Sequence, residues 1–87
     1  MSDKEWAAKR GSHWAKVIAD NVRSLREAAG LGQAELGSAS GMVAPAISRI
    51  ESGTHLPSLT TLLKVAEALD VEPGRLLEPP TPKKKTK

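Results

Sequence analysis

The 87-residue chain contains no cysteine, which rules out disulfides and thiolate metal sites and fits a reducing cytoplasm. No apolar run approaches the roughly 18 residues of a membrane span, and the first residues lack the apolar stretch of a signal peptide. A cytoplasmic protein with no membrane contact is the expectation. Aromatics are nearly missing as well: there are two tryptophans, no Phe and no Tyr. The core must then come from Leu, Ile, Val, Met and Ala, which suits packed helices better than strands. The same scarcity disfavours single-strand or RNA binding, where bases stack on aromatic side chains. The length allows one domain at most.

A formal charge of +3 conceals an uneven layout. Residues 1–16 carry Lys4, Lys9, Arg10 and Lys16 against Asp3 and Glu5, a net +2. Residues 17–78 carry five basic and eight acidic side chains, a net −3, and residues 79–87 add Lys83, Lys84, Lys85 and Lys87. Two basic arms therefore flank an acidic body. Nucleic-acid binders show a basic face more often than a basic total, so the charge alone is weak support for that function.

Residues 1–11 are polar and end at Gly11, and they read as a flexible N-terminal arm. Trp14, Val17, Ile18, Val22, Leu25 and Ala28 then recur at three- and four-residue spacing, one face of an amphipathic helix expected over 13–29. Trp14 falls on this stripe and reads as core; Trp6 is either loose or an anchor for a second chain. Gly30 stops the helix as a left-handed residue. A short helix at 33–40 follows, with Glu35 placed to reach back to its start, and Gly41 ends it. Pro45 opens a third helix at 44–52, and Ser58 caps a fourth at 59–69 that looks apolar enough all round to be well buried. A last short helix is expected at 73–78. Pro79, Pro80 and Pro82 then end regular structure before a disordered lysine tail. The expectation is an all-α fold of five helices and no strand, with a domain over 12–78.

The stretch from Gln33 to Ser52 is the most informative. Two short helices joined by a tight turn must cross steeply, which demands a small residue where they touch, a turn residue tolerant of positive φ, and a branched apolar plug. Gly37, Gly41 and Ile47 supply these, with Leu36, Met42 and Ile50 completing a shared core.

On these residues, together with Val22-Arg23-Ser24-Leu25-Arg26, Gly30-Leu31-Gly32-Gln33-Ala34-Glu35-Leu36, Ile47-Ser48-Arg49-Ile50-Glu51-Ser52-Gly53 and Pro57-Ser58-Leu59, the chain resembles the phage-repressor (Cro/cI-like) helix-turn-helix family over residues 17–78. The resemblance implies a compact repressor-like domain whose second and third helices form the helix-turn-helix, the third entering the major groove of double-stranded DNA. It implies a homodimer on palindromic sites, usually a repressor, with no cofactor. Carried over by position, Gln33 would meet a phosphate, while Val43, Ala44, Pro45, Ser48 and Arg49 would face the groove. Thr54 and His55, in the loop after the third helix, are further DNA-binding candidates. Arg26 and Glu51 would form a structural ion pair. Ala44 can touch a thymine methyl but cannot make a bidentate base contact, which leaves Arg49 as the candidate for guanine or for a phosphate.

Other constellations are set aside. His13 and His55 have no carboxylate or thiol at ligand spacing and read as surface rather than metal ligands. Gly37-Ser38-Ala39-Ser40-Gly41 lacks the central serine of a nucleophile elbow, so catalysis is not expected. Pro79-Pro80-Thr81-Pro82 satisfies P-x-x-P but reads as a stiff linker rather than a recognition ligand. The lysine tail fits a phosphate-binding arm, a solubilising tail or a nuclear address. The competing function is an antitoxin or adaptor that uses the same fold to bind a toxin or other protein partner.

Overall fold

The computed structural model describes residues 1–79. Helix α1 (Asp3–Trp6) continues through a π-helical turn (Ala7–Gly11) into α2 (Ser12–Ala28); α3 (Gln33–Ala39), α4 (Ala44–Glu51) and α5 (Leu59–Leu69) follow, and a 3-10 turn (Pro73–Leu77) ends the described chain. The described residues thus hold four helical rods and a 3-10 turn, all-helical without a strand, in place of the five helices expected. The fifth is too short and too proline-bound to close an α-helical ladder: Pro73 opens it and Arg75 N–H donates to Glu72 C=O three residues back, at 2.9 Å. The lysine tail and most of the proline run lie outside the described residues.

The segment expected as a flexible arm is helical. Ser2 caps it: its hydroxyl accepts from Glu5 N–H at 3.1 Å, and the Glu5 carboxylate accepts from Ser2 N–H at 2.9 Å, a capping box that the sequence reading passed over. Gly11 does not break the rod. Its φ of −59° and ψ of −41° are ordinary helix values, and Ser12 after it is helical as well.

The other helix ends follow their local chemistry. After α2, Gly30 (φ +75°) lets Leu31 N–H reach Arg26 C=O at 3.1 Å and its own N–H reach Glu27 C=O at 3.0 Å, a Schellman closure. Gly41 (φ +74°) repeats it after α3, with Met42 N–H on Gly37 C=O at 2.7 Å. At the start of α3 the cap residue Gly32 has no side chain to offer, so only the reverse arm exists, Gly32 N–H donating to Glu35 Oε1 at 2.6 Å.

The core is aliphatic: Ile18 and Val22 of α2, Leu36 of α3, Ile47 and Ile50 of α4, Val65, Ala66 and Leu69 of α5, and Leu76 of the 3-10 turn. Asn21 ties that turn to α2, its side-chain amide donating to Leu76 C=O at 2.9 Å and Glu78 C=O at 2.8 Å. Two readings need correction here. Helix α5 is not buried all round: Leu59 and Leu63 are exposed, four residues apart on its outer side. Trp14 is half-buried rather than core, its ring edge-on to His13.

Candidate nucleic-acid interface

Helices α3 and α4 touch directly at Gly37. A Cβ built there would stand 3.0 Å from Met42 O and Val43 C and 3.2 Å from Ala44 N, so only hydrogen lets the start of α4 lie on α3. Ile47 plugs the crossing with no exposed surface, and Ile50 beside it is buried. The inward positions of α4 are therefore Ile47, Ile50 and Glu51. Ser48 and Arg49, together with Val43 and Pro45 at the start of the helix, are exposed on the opposite side, with Ala44 half-buried among them. The five groove-facing candidates thus share one surface. Among the described residues Arg49 makes no salt bridge, and it is the one basic side chain α4 presents.

The opposite side of α4 is held by Glu51. Its carboxylate receives Arg26 in a two-pronged contact, Nε to Oε2 at 2.7 Å and Nη2 to Oε1 at 3.0 Å. Arg26 Nη1 also donates to Leu31 C=O at 2.8 Å, Arg23 Nη2 to Glu51 C=O at 2.9 Å, and Gln33 Nε2 to Glu51 Oε1 at 3.1 Å. Glu51 thus joins the end of α4 to α2 and to the start of α3, and Arg26 extends the link to the α2–α3 connection. Burial pushes the Glu51 carboxyl up, but the hydrogen bonds from Arg26 and Gln33 and the charges of Arg26 and Arg23 outweigh it. The net position is below the ordinary carboxylate range. The hydrogen bond to Glu51 is also the largest influence on Arg26, whose guanidinium is held still more firmly charged.

Arg23 and the Gln33 side-chain contact were missed from the sequence. A signal existed for Arg23, which precedes Arg26 by three residues and so shares its helix face. None existed for Gln33, because its partner lies 18 residues away. Gln33 is half-buried, its amide nitrogen already engaged by Glu51.

The loop after α4 turns at Gly53 (φ +70°), which packs on α2 close to Lys16 and Ala19. Thr54 is exposed and shares a hydrogen bond with Ser52, hydroxyl to hydroxyl at 3.0 Å. His55 is half-buried rather than a fully solvated surface residue, and its Nδ1 is shielded without a partner. His55 and Arg49 both line a cleft of ≈ 180 Å³, whereas Thr54 does not border it. No cluster of His, Cys, Asp and Glu able to hold a metal occurs among the described residues, and no described helix is long and apolar enough to cross a membrane.

Comparison with known proteins places this arrangement. The structure is similar to the restriction-modification controller protein C.AhdI from Aeromonas hydrophila, with a TM-score of 0.68 at 37% identity, covering 71% of this chain and 94% of that one. It is also similar to the P22 c2 repressor crystallised with a synthetic operator, TM-score 0.65 at 31% identity, covering 70% of this chain and 92% of that one. A hypothetical transcription factor from Neisseria matches with a TM-score of 0.73 at 33% identity over 77% of each chain. In sequence, an uncharacterized HTH-type transcriptional regulator of Sinorhizobium fredii is 46% identical over 55 residues, which are 63% of this chain and 28% of that relative's length. The chain thus spans under a third of that relative. The repressor-like fold expected from the sequence is the fold observed, and residues 17–79 match the family described as helix-turn-helix domain. The chain belongs to that helix-turn-helix family.

Proposed function

We propose that this protein is a non-enzymatic, sequence-specific DNA-binding transcriptional regulator, a repressor, that lays α4 in the major groove of double-stranded DNA. The observation that carries this reading is the exposed surface Val43–Ala44–Pro45–Ser48–Arg49, set over Gly37 and braced from behind by Glu51. Similarity to a repressor crystallised with its operator supports it. In this reading Arg49 reaches guanine or a phosphate, Ser48 a base edge, and Val43, Ala44 and Pro45 make apolar contact with thymine methyls. Gln33 meets a phosphate with its backbone N–H and its remaining amide hydrogen, while Thr54 and His55 line the backbone beyond. The protein works in the cytoplasm, on the nucleoid when bound.

One copy offers two polar side chains, Ser48 and Arg49, for reading bases, too few for a specific site at the usual nanomolar strength. The protein therefore acts as a homodimer on two related half-sites. Leu59 and Leu63 on α5, and Leu77 at the end of the 3-10 turn, are exposed apolar groups that a second copy would cover. The alternative partner for that surface is a toxin or adaptor protein.

Selection of bound duplexes from a random pool tests the reading. A two-fold consensus with half-sites about one helical turn apart is expected. No enrichment of any sequence would overturn it in favour of the protein-binding alternative.

A further inference from the structure

We infer that the N-terminal helical extension is a second DNA-contacting element, in which Lys4, Lys9 and Arg10 bind the phosphate backbone beside the groove read by α4. This inference rests on the DNA-binding reading and adds a surface that lies outside the matched family segment, residues 17–79.

The placement of the extension is fixed by packing. Gly11 is buried, and a Cβ there would sit 3.6 Å from Leu56 Cδ1. Ala7, Ala8, Gly11, Ser12 and Ala15 form one wall of a cleft of ≈ 380 Å³ whose other wall is Thr54, His55 and Leu56. His55 also borders the cleft lined by Arg49. The small residues of the extension therefore bring it against the loop that leaves α4, on the Arg49 side. Because α1, the π turn and α2 are continuous, the extension is a rigid outrigger and not a tether.

The charges on it are free to act. Lys4, Lys9 and Arg10 are exposed and take part in no salt bridge among the described residues. Glu5 Oε1 accepts from Ser2 N–H, and with Asp3 on the same segment residues 3–10 carry a net +1. From Lys4 to Arg10 the helix rises about 9 Å, the axial rise of roughly two to three nucleotides along one strand.

The rest of the DNA-facing surface is short of cations. Residues 17–78 carry a net −3, α4 exposes Arg49 alone, and the adjoining loop offers Thr54 and His55. Affinity for duplex DNA comes mainly from cations that displace condensed counterions. Beside that loop the fold sets Lys16, already paired with Asp20, and the extension that carries the three cations unpaired among the described residues.

The test is a salt titration of the full chain and of the triple variant Lys4→Gln, Lys9→Gln, Arg10→Gln, on a selected duplex and on an unrelated one. Each neutralised phosphate adds roughly −0.9 to the slope of log affinity against log salt. The variant is expected to have a slope shallower by about two to three units per monomer, with affinity lowered alike on both duplexes and the preferred sequence unchanged. The charge-keeping variant Lys4→Arg, Lys9→Arg should retain the parent slope, which separates charge from any effect on helix formation. Binding by the parent with an unchanged slope in the triple variant overturns the inference and leaves the DNA-binding reading standing. An unchanged slope together with a shift toward monomer in sedimentation also overturns it, and assigns the extension to contact between copies. A parent that binds neither duplex overturns the DNA-binding reading itself, and this inference with it.

Discussion

Arg26 and Glu51 meet through two nitrogens and two oxygens, at 2.7 and 3.0 Å, with 12% and 4% of their side chains exposed. A pair this shielded is costly to break from one side, because the remaining charge stays buried without its partner. Glu51→Ala should lower stability by about 3–5 kcal/mol. The double reversal Arg26→Glu, Glu51→Arg should recover part of the loss of either single reversal, measured by thermal or denaturant melts. Recovery should be incomplete, since Leu31 C=O and Gln33 Nε2 are also matched to the native charges. Strictly additive losses would show that the pair contributes nothing of its own.

The same carboxylate sets an acid limb. Glu51 titrates below its ordinary value in the folded protein, so the unfolded chain takes up the proton first as pH falls. Its contribution is fully present above the unfolded value of about 4.3 and is lost as pH drops through the lower folded value. The stability of the native protein should fall below about pH 4.3 more steeply than that of Glu51→Gln, whose carboxamide cannot titrate. Denaturant midpoints between pH 2.5 and pH 6 would check this, and parallel curves would remove Glu51 from the account.

Two glycines should respond in opposite directions to alanine. At Gly37 the new methyl meets backbone atoms of residues 42–44 at 3.0–3.2 Å, which cannot move without prising α4 off α3. Gly37→Ala should cost about 1–3 kcal/mol and weaken DNA binding as well. At Gly11 the nearest atoms are side-chain carbons at 3.6 and 3.8 Å, ordinary contact, and the backbone is already helical. Gly11→Ala should therefore raise stability by about 0.5–1 kcal/mol. A melt showing Gly11→Ala destabilised would mean that Leu56 cannot adjust.

Arg49→Ala leaves the core untouched, because Arg49 is exposed and unpaired among the described residues. It should leave the melting temperature nearly unchanged while weakening specific DNA binding by about 1–3 kcal/mol and relaxing preference at one position per half-site. Equal weakening on every duplex would instead make Arg49 a phosphate contact.

The crossing of α3 and α4 was legible in the sequence because each part of it is a local demand. A positive φ requires Gly41, a close approach requires Gly37, and a plug requires a branched residue at Ile47. The Arg26–Glu51 pair was reached through family resemblance, since nothing local links residues 25 positions apart. The N-terminal helix was also local, written in Ser2 and Glu5, but the weight given to Gly11 as a breaker hid it. A glycine sits in a helix at modest cost when its neighbours hold the ladder, and here burial against Leu56 adds to that.

Residue types and spacing by themselves determined the all-helical fold, the turns at Gly30 and Gly41, and which side of α4 faces outward, because backbone sterics and helical periodicity act over a few residues. Tertiary structure decided that Glu51 binds Gln33 and Arg23 as well as Arg26, that Leu59 and Leu63 remain outside the core, and that the small residues of the N-terminal extension face the loop after α4. Each of these depends on which helix faces lie against one another. That choice is made by the summed burial of apolar side chains distant in sequence, a quantity no short stretch of residues contains.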